Sequence, residues 1–477
     1  MAHPPTRSAS HAARPVPGGA VVVGGGIAGL SAALALAHRD TRSQVLEASS
    51  AHRESGAGVQ LGPNATWILR ELGILDALYA ADAISQPTAL RVYDGRSDAA
   101  LGGMPLRALE VRHGAPYITV RRSALHAALR DRCAALGSAI IDLRLGQAVT
   151  RVDAEGAGVV ATCADGAHVH GGLLIGSDGA GSALRRHYHP AATLQFSGAT
   201  AGRAVLARSQ LSPHSASDLC ANVSVWLLPN AHIVAYPVDA GRCLNVVLIT
   251  KPSQPGRPAQ PHADPSDAHA DAAGWRGVRA LDLAAHFPDR RGLSPRVQAL
   301  LACIEASPPA GSQPDACGVL GAWALHTIAQ LPDPVLPLRR QMDDRSGDGR
   351  ATTANSAGDT ASQLSDPQAP ALVDGTPRAV LIGDAWHPVL PFLAQGAAMA
   401  IEDAWVLAGV VGTGQSLDNF AREHASRVAR VSAAAQRNGR IFHMSGPAGM
   451  ARNMVMRALP GTALMRQYDW LYGAKVS

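Results

Sequence analysis

His232 and Tyr236 stand four residues apart in an apolar run, His232-Ile233-Val234-Ala235-Tyr236-Pro237, that reads as an extended strand, so both side chains leave the same face. An imidazole titrates near neutrality and can take the proton of a weakly acidic hydroxyl on a bound ligand. The tyrosine hydroxyl would hold the resulting oxyanion or a neighbouring carboxylate. A core histidine and a sheet-packed aromatic give the same pattern, so the pair needs its surroundings to acquire meaning. A second chemical signal is Gly24-Gly25-Gly26-Ile27-Ala28-Gly29, a G-x-G-x-x-G followed by an acid, Glu47. Gly24 permits a tight turn, Gly26 lets a pyrophosphate approach the backbone, and Ala28 and Gly29 let the following helix pack closely. Glu47 would accept hydrogen bonds from ribose hydroxyls. No His/Cys/Asp/Glu spacing suggests a metal site.

The elements around the glycines fit that reading. Ala20 to Val23 form a short apolar strand, Ile27 to His38 a helix, and Gln44 to Glu47 a second strand, a βαβ start. Arg122 to Leu136 place Leu125, Leu129, Cys133 and Leu136 on one helical face, with Gly137 as a stop. Ala148 to Asp153, Val159 to Cys163 and Val169 to Gly176 follow as a small meander leading into a core strand. From about residue 190 to 330 apolar strands dominate, including Val223 to Leu228, Ile233 to Pro237 and Leu244 to Ile249. The tail, Met1 to Pro17, and two polar inserts, Pro252 to Ala273 and Arg339 to Pro377, lack the apolar content to order themselves.

The chain has 477 residues, 47% hydrophobic and 17% charged, enough for two packed domains. Its 42 Lys+Arg against 37 Asp+Glu are spread thinly, which argues against nucleic acid and suits small anions. Six cysteines without a C-x-x-C pair suggest a reducing, cytoplasmic setting. Arg7 and Arg14 precede an uncharged run that could imitate a signal sequence, but its glycines favour strand, turn and helix. No stretch reaches the ~18 apolar residues of a membrane span.

Two distant segments decide between dinucleotides. Leu173-Leu174-Ile175-Gly176-Ser177-Asp178-Gly179-Ala180-Gly181-Ser182, with Arg185, resembles the Asp-Gly motif of flavoprotein hydroxylases. Val380-Leu381-Ile382-Gly383-Asp384-Ala385-Trp386-His387-Pro388, continuing through Gln395-Gly396-Ala397-Ala398-Met399-Ala400-Ile401-Glu402-Asp403-Ala404, resembles their Gly-Asp motif and the helix after it. With Gly56-Ala57-Gly58-Val59-Gln60-Leu61-Gly62-Pro63-Asn64, Arg122 and Trp323-Ala324-Leu325, the likeness spans nearly the whole chain. It is to single-component FAD-dependent aromatic monooxygenases of the salicylate hydroxylase, 3-hydroxybenzoate 6-hydroxylase and 6-hydroxynicotinate 3-monooxygenase kind.

That resemblance implies an α/β fold, with a Rossmann-like FAD-binding domain interleaved with a mostly β-sheet substrate domain and a C-terminal helical segment. The expected bounds are a tail to 17, FAD domain 18–190, substrate domain 191–335, insert 336–377, FAD domain again 378–440, and helices 441–477. It implies FAD held by Gly24, Gly26, Ala28, Gly29, Glu47, Gly58, Val59, Arg122, Asp178, Gly179, Gly383, Asp384, Pro391, Gly396 and Ala397. Asp384 would meet the ribityl chain, and the helix from Gly396 would point its positive end at the flavin pyrimidine. Pro388, Phe392 and Leu393 would wall the substrate, with His232 and Tyr236 catalytic. NAD(P)H would dock transiently, since only one G-x-G-x-x-G occurs, and O2 would be activated as a flavin hydroperoxide to hydroxylate a small aromatic or pyridine acid, with or without decarboxylation. Trp386 departs from the family pattern, which has a small residue there, and is expected to reshape the space near the flavin. A flavin oxidoreductase that inserts no oxygen, a nicotinamide dehydrogenase and a non-catalytic flavin binder are the alternatives; a homodimer stays open.

Overall fold

The structure is a computed structural model that describes residues 16, 18–51, 57–251, 281–287, 290–309, 317–338 and 378–475. Gly56, most of the tail and all of both polar inserts lie outside the described residues.

The glycine turn sits at the centre of a five-stranded parallel sheet. Ala20–Val23 pairs with Ser43–Glu47 on one side and Leu173–Gly176 on the other; Ile141–Leu145 and Arg378–Leu381 form the edges. The central strands Ala20–Val23 and Leu173–Gly176 are apolar throughout and fully buried: the helix Ile27–Ala37 packs on the sheet, and the strands His168–Gly171 and Gly158–Cys163 also contact it. Ile27–Ala37 packs against Arg122–Leu136 and against Gly396–Gly412. The carboxyl ends of three neighbouring strands thus deliver the glycine turn, the Asp178 loop and the Asp384 loop to one crevice, although about 360 residues separate the first from the last in sequence.

The second layer is a seven-stranded sheet whose core is Leu194–Ala207, Cys243–Thr250, Ala231–Val238 and Val223–Leu228, paired antiparallel. Gly318–Ile328 closes one edge. The other edge is a correction to the expected boundary at 191: Ala89–Asp94 and Ala100–Pro105, from the first part of the chain, complete this sheet, with Ala89–Asp94 running parallel to Val223–Leu228. A parallel neighbour so distant in sequence leaves no hairpin signal. The run from Val169 to Gly176 also divides. His168–Gly171 belongs to the meander with Val149–Glu155 and Gly158–Cys163, and Leu173–Gly176 belongs to the core sheet. The C-terminal part is helical, but Leu417–Phe442 runs unbroken through the expected boundary at 440. Among the described residues no helix is long and apolar enough to cross a membrane.

Candidate active site

At the glycine turn the backbone dictates the sequence. Gly24 has φ +104°, a conformation that L side chains rarely adopt, and a Cβ at Gly29 would lie 1.9 Å from the Gly24 carbonyl oxygen. A Cβ on Gly26, in contrast, would meet nothing within 4 Å: the space above the helix start is open. Glu47 accepts from the Gly25 amide at 2.7 Å and the Ser49 amide at 2.9 Å, so it braces the turn and still has lone pairs free to accept further bonds. His126, one turn after Arg122 on the same helix, bonds the Gly25 carbonyl at 2.8 Å.

The other two loops are tied to each other. Asp178 Oδ2 accepts from the amides of Ala183 and Leu184, while Oδ1 is buried without a hydrogen-bond partner among the described residues; burial pushes this carboxyl up. Gly179 has φ +77°, as the sharp turn after Asp178 requires. The fully buried Arg185 donates to the carbonyls of Asp384 and Ala385 at 3.0 and 2.7 Å, joining the two motifs. Asp384 lies deep within the protein yet keeps an accessible side chain, as expected on the wall of a crevice. Burial raises its pKa against the pull of His387, Arg122 and Arg185. Gly383, at φ +58°, approaches the Cβ of Ala28, which accounts for a small residue at position 28. A Cβ at Gly396 would again meet open space, at the start of a 17-residue helix next to Ala397. Open cradles at Gly26 and Gly396, an acid near each of three strand ends and an orphaned carboxylate oxygen on Asp178 fit a dinucleotide laid across the crevice.

Behind the Asp384 loop is a network in which His387 reads from sequence as a structural residue of the loop, while Asp403 and His424 carry no role from sequence. Asp403, fully buried, accepts from the Gly383 amide at 2.7 Å and bonds both His387 Nε2 and His424 Nε2 at 2.6 Å. Burial alone would raise the Asp403 carboxyl, but the charge and hydrogen bond of His387, with the bond from His424, hold it far below the usual range. Burial likewise opposes the His387 cation, and Asp403 outweighs it, so that imidazole is shifted upward. Trp386 corrects an expectation. Its side chain is fully buried against Phe420 and His424 and donates to the Pro332 carbonyl at 2.9 Å, so it fills the core behind the loop rather than the crevice.

The face of the large sheet turned toward the crevice carries three transverse rows: Trp323–Ala201–Ile249–His232, then Gly321–Arg203–Val247–Val234, then Val205–Asn245–Tyr236. The first and last rows are buried, whereas Arg203, Val247 and Val234 are half-exposed and floor an opening between them. His232 and Tyr236 do share a face, separated by about 13 Å of strand. Tyr236 departs from its expected task. Its hydroxyl donates to the Gly58 carbonyl at 2.7 Å, Gly58 N donates to Asn245 Oδ1 at 2.7 Å, and a Cβ at Gly58 would strike the tyrosine ring. The phenolic proton is therefore committed to joining the sheet to the Gly58-Val59 strand, and burial shifts Tyr236 upward, keeping it neutral. His232 Nδ1 pairs with His443 Nε2 at 2.8 Å, and its ring is boxed by Phe392 and Phe442. Burial, then His443, place His232 well below its ordinary value; burial with the nearby Lys251 and Arg452 lowers His443 to about 4.

Phe392 packs on Ala199, Ala201 and Ile249, so it covers the His232 end of the sheet. Pro388 is buried, and Pro391 and Leu393 are half-buried beside it. Arg203, whose guanidinium stacks over Trp323 with its carbon 5.2 Å from the ring centroid, had a legible signal: it is the single charge in the strand from Ser197 to Ala207. His443 had none, being 211 residues from its partner.

Residues 19–249 match the family model described as an FAD binding domain. The 6-hydroxynicotinate 3-monooxygenase of Bordetella bronchiseptica is 30% identical over 423 residues, covering 86% of this chain and 89% of that protein. The chain belongs to the FAD-dependent aromatic monooxygenases. A 3-hydroxybenzoate 6-hydroxylase of Aquipseudomonas alcaligenes is 28% identical over 465 residues, with 95% and 97% coverage. The 3-amino-4-hydroxybenzoate 2-monooxygenase PtmB3 of Streptomyces platensis is 28% identical over 467 residues, with 95% of each chain covered. Among solved structures, a salicylate hydroxylase substrate complex superposes with TM-score 0.67 at 22% identity, covering 98% of this chain and 97% of that one. Klebsiella pneumoniae HpxO complexed with FAD and uric acid gives 0.66 at 22%, covering 94% and 95%. The α/β fold read from the motifs, the family and the FAD dependence are thereby established for this flavoprotein monooxygenase.

Proposed function

We propose that this monooxygenase hydroxylates a phenolic or hydroxypyridine ring bearing a carboxylate, with His232 accepting the ring hydroxyl proton and Arg203 receiving the carboxylate. The observation that carries this reading is the middle of the sheet face, where the half-exposed Val234 and Val247 lie between His232 on one row and Arg203 on their own. A flat apolar floor suits an aromatic ring, and a cation at one side with a neutral imidazole at the other suits a hydroxy acid. The printed substrates of the relatives above, hydroxybenzoates and a hydroxynicotinate, have this pattern.

FAD would lie along the crevice, with Gly24, Gly26, Ala28 and Gly29 admitting the pyrophosphate and Glu47 the ribose. Asp178, Gly179 and Arg122 would flank it, and Gly383 and Asp384 would take the ribityl side. Gly58, Val59, Pro391, Gly396 and Ala397 would border the flavin. Bound FAD, once reduced by NAD(P)H, supplies the activation of O2 for transfer to the ring. The chain supplies the rest. The positive end of the Gly396 helix favours negative charge beside it. Phe392, with buried Pro388 and half-buried Leu393, excludes water from the His232 end. His232, held neutral by its surroundings, is in the form that can accept a proton.

Purified protein reconstituted with FAD tests this by NADH and NADPH oxidation against salicylate, 3-hydroxybenzoate, 4-hydroxybenzoate and 6-hydroxynicotinate, with products identified by mass. Stimulated oxidation with a ring-bound oxygen supports the reading; stimulation without oxygen incorporation overturns it. Loss of carbon dioxide in the product would mark hydroxylation as decarboxylative. Replacing Arg203 with Gln removes a charge-assisted bond of about 1.5–3 kcal/mol, so KM for a carboxylated ring should rise about 10- to 100-fold. The corresponding phenol without a carboxylate should be almost unaffected, and equal losses on both would remove Arg203 from carboxylate recognition.

A further inference from the structure

At the far end of the same sheet, Cys243 and Cys317 bring their sulfurs to 3.3 Å. Cys243 opens the strand Cys243–Thr250 and Cys317 immediately precedes Gly318–Ile328, strands that flank Leu194–Ala207 from opposite sides. The buried Arg121 sends one guanidinium nitrogen to both sulfurs, at 3.3 and 3.8 Å, while its Nε bonds Asp239 at 2.5 Å. All six cysteines are free thiols, and this is the pair whose sulfurs touch. Neither belongs to the crevice.

We propose that Cys243 and Cys317 form a vicinal dithiol that peroxide oxidises to an intramolecular disulfide. Cys317, the half-buried member, is the accessible one; Cys243 is buried. The Cys317 sulfur attacks one peroxide oxygen and breaks the O–O bond, and the departing hydroxide takes the thiol's proton, giving the sulfenic acid and one water. The Cys243 sulfur then displaces the second oxygen as water, so two thiols and one peroxide yield one disulfide and two waters. The proton on Cys243 leaves with that water. Burial raises Cys243, which fits its part as the second, resolving sulfur rather than the first nucleophile, while the Arg121 guanidinium beside both sulfurs partly opposes that rise. The sulfurs must close from 3.3 Å to the ~2.05 Å of a disulfide, a movement available to Cys317 because it lies just outside its strand.

The test treats the FAD-loaded protein with substoichiometric hydrogen peroxide, quenches free thiols and maps peptides by mass. The expected result is a Cys243–Cys317 linked peptide about 2 Da lighter than the sum of its parts, two titratable thiols lost per peroxide consumed, and full reversal by dithiothreitol. In Cys317→Ser the linked peptide and the reversible loss of two thiols should both vanish, with the melting curve of the reduced protein serving as the check on folding. Cysteines that stay reduced, oxidise only to sulfinic acid, or link to a different partner would overturn the proposal.

Discussion

His232→Ala lowers substrate-stimulated hydroxylation at pH 7 by about 100- to 10,000-fold, the usual contribution of a positioned general base. FAD retention should stay at its wild-type level, because the histidine faces Phe392, Phe442 and His443 rather than the glycine turn. The sharper signature is in the pH profile. An unassisted phenol ionises as pH approaches ~10, so the variant should recover activity on the alkaline side while the wild type does not need to. The wild-type base must be deprotonated to act, and burial with the His443 pairing keeps it so down to well below its ordinary value. Activity limited by this group should therefore persist to lower pH than a free imidazole would allow. Measurement of kcat/KM across pH for both proteins checks the assignment, and an unchanged alanine variant would remove His232 from the chemistry.

The largest stability effect belongs to Asp403. Asp403→Ala leaves two buried imidazoles and the Gly383 amide without their acceptor, and breaking a buried ion pair by deleting one partner costs about 3–5 kcal/mol. Since Gly383 begins the turn that presents Asp384, the variant should also lose bound flavin on gel filtration. The wild-type dependence on pH follows from the signs of the two shifts. The Asp403 contribution is present above its unfolded pKa of about 3.9 and is lost as pH falls toward its depressed folded value. The His387 contribution is fully present below about 6.5 and is lost as pH rises through its elevated folded value. This network therefore stabilises most between those limits. Denaturant melts at several pH values should show the wild type losing its advantage over Asp403→Ala on both sides. A constant difference would mean that the pair does not titrate as described.

Much of the crevice was legible from local sequence because its demands are local. A turn with φ +104° at Gly24 and a helix pressed against its carbonyl at Gly29 admit almost no other residue. The same holds for Gly383, and strand and helix periodicity placed Arg122–Leu136 and Val223–Leu228 at the bounds they have. Sequence failed where the deciding partner is remote. The edge strands Ala89–Asp94 and Ala100–Pro105 carry nothing that announces a parallel neighbour at Val223–Leu228. Trp386 was expected near the flavin because it departs from the family pattern in the Gly-Asp turn, but its side chain lies in the core.

The sequence by itself determined the dinucleotide turn and the shared face of His232 and Tyr236, consequences of backbone geometry and strand period, and its resemblance to known motifs gave the family. Only the tertiary structure decided what those side chains do. It committed the Tyr236 proton to Gly58, paired His232 with His443, set Arg203 beside the open floor and gathered His387 and His424 on Asp403. The physical reason is that a buried polar group is defined by the partner that satisfies it, and burial brings together residues that no spacing along the chain connects.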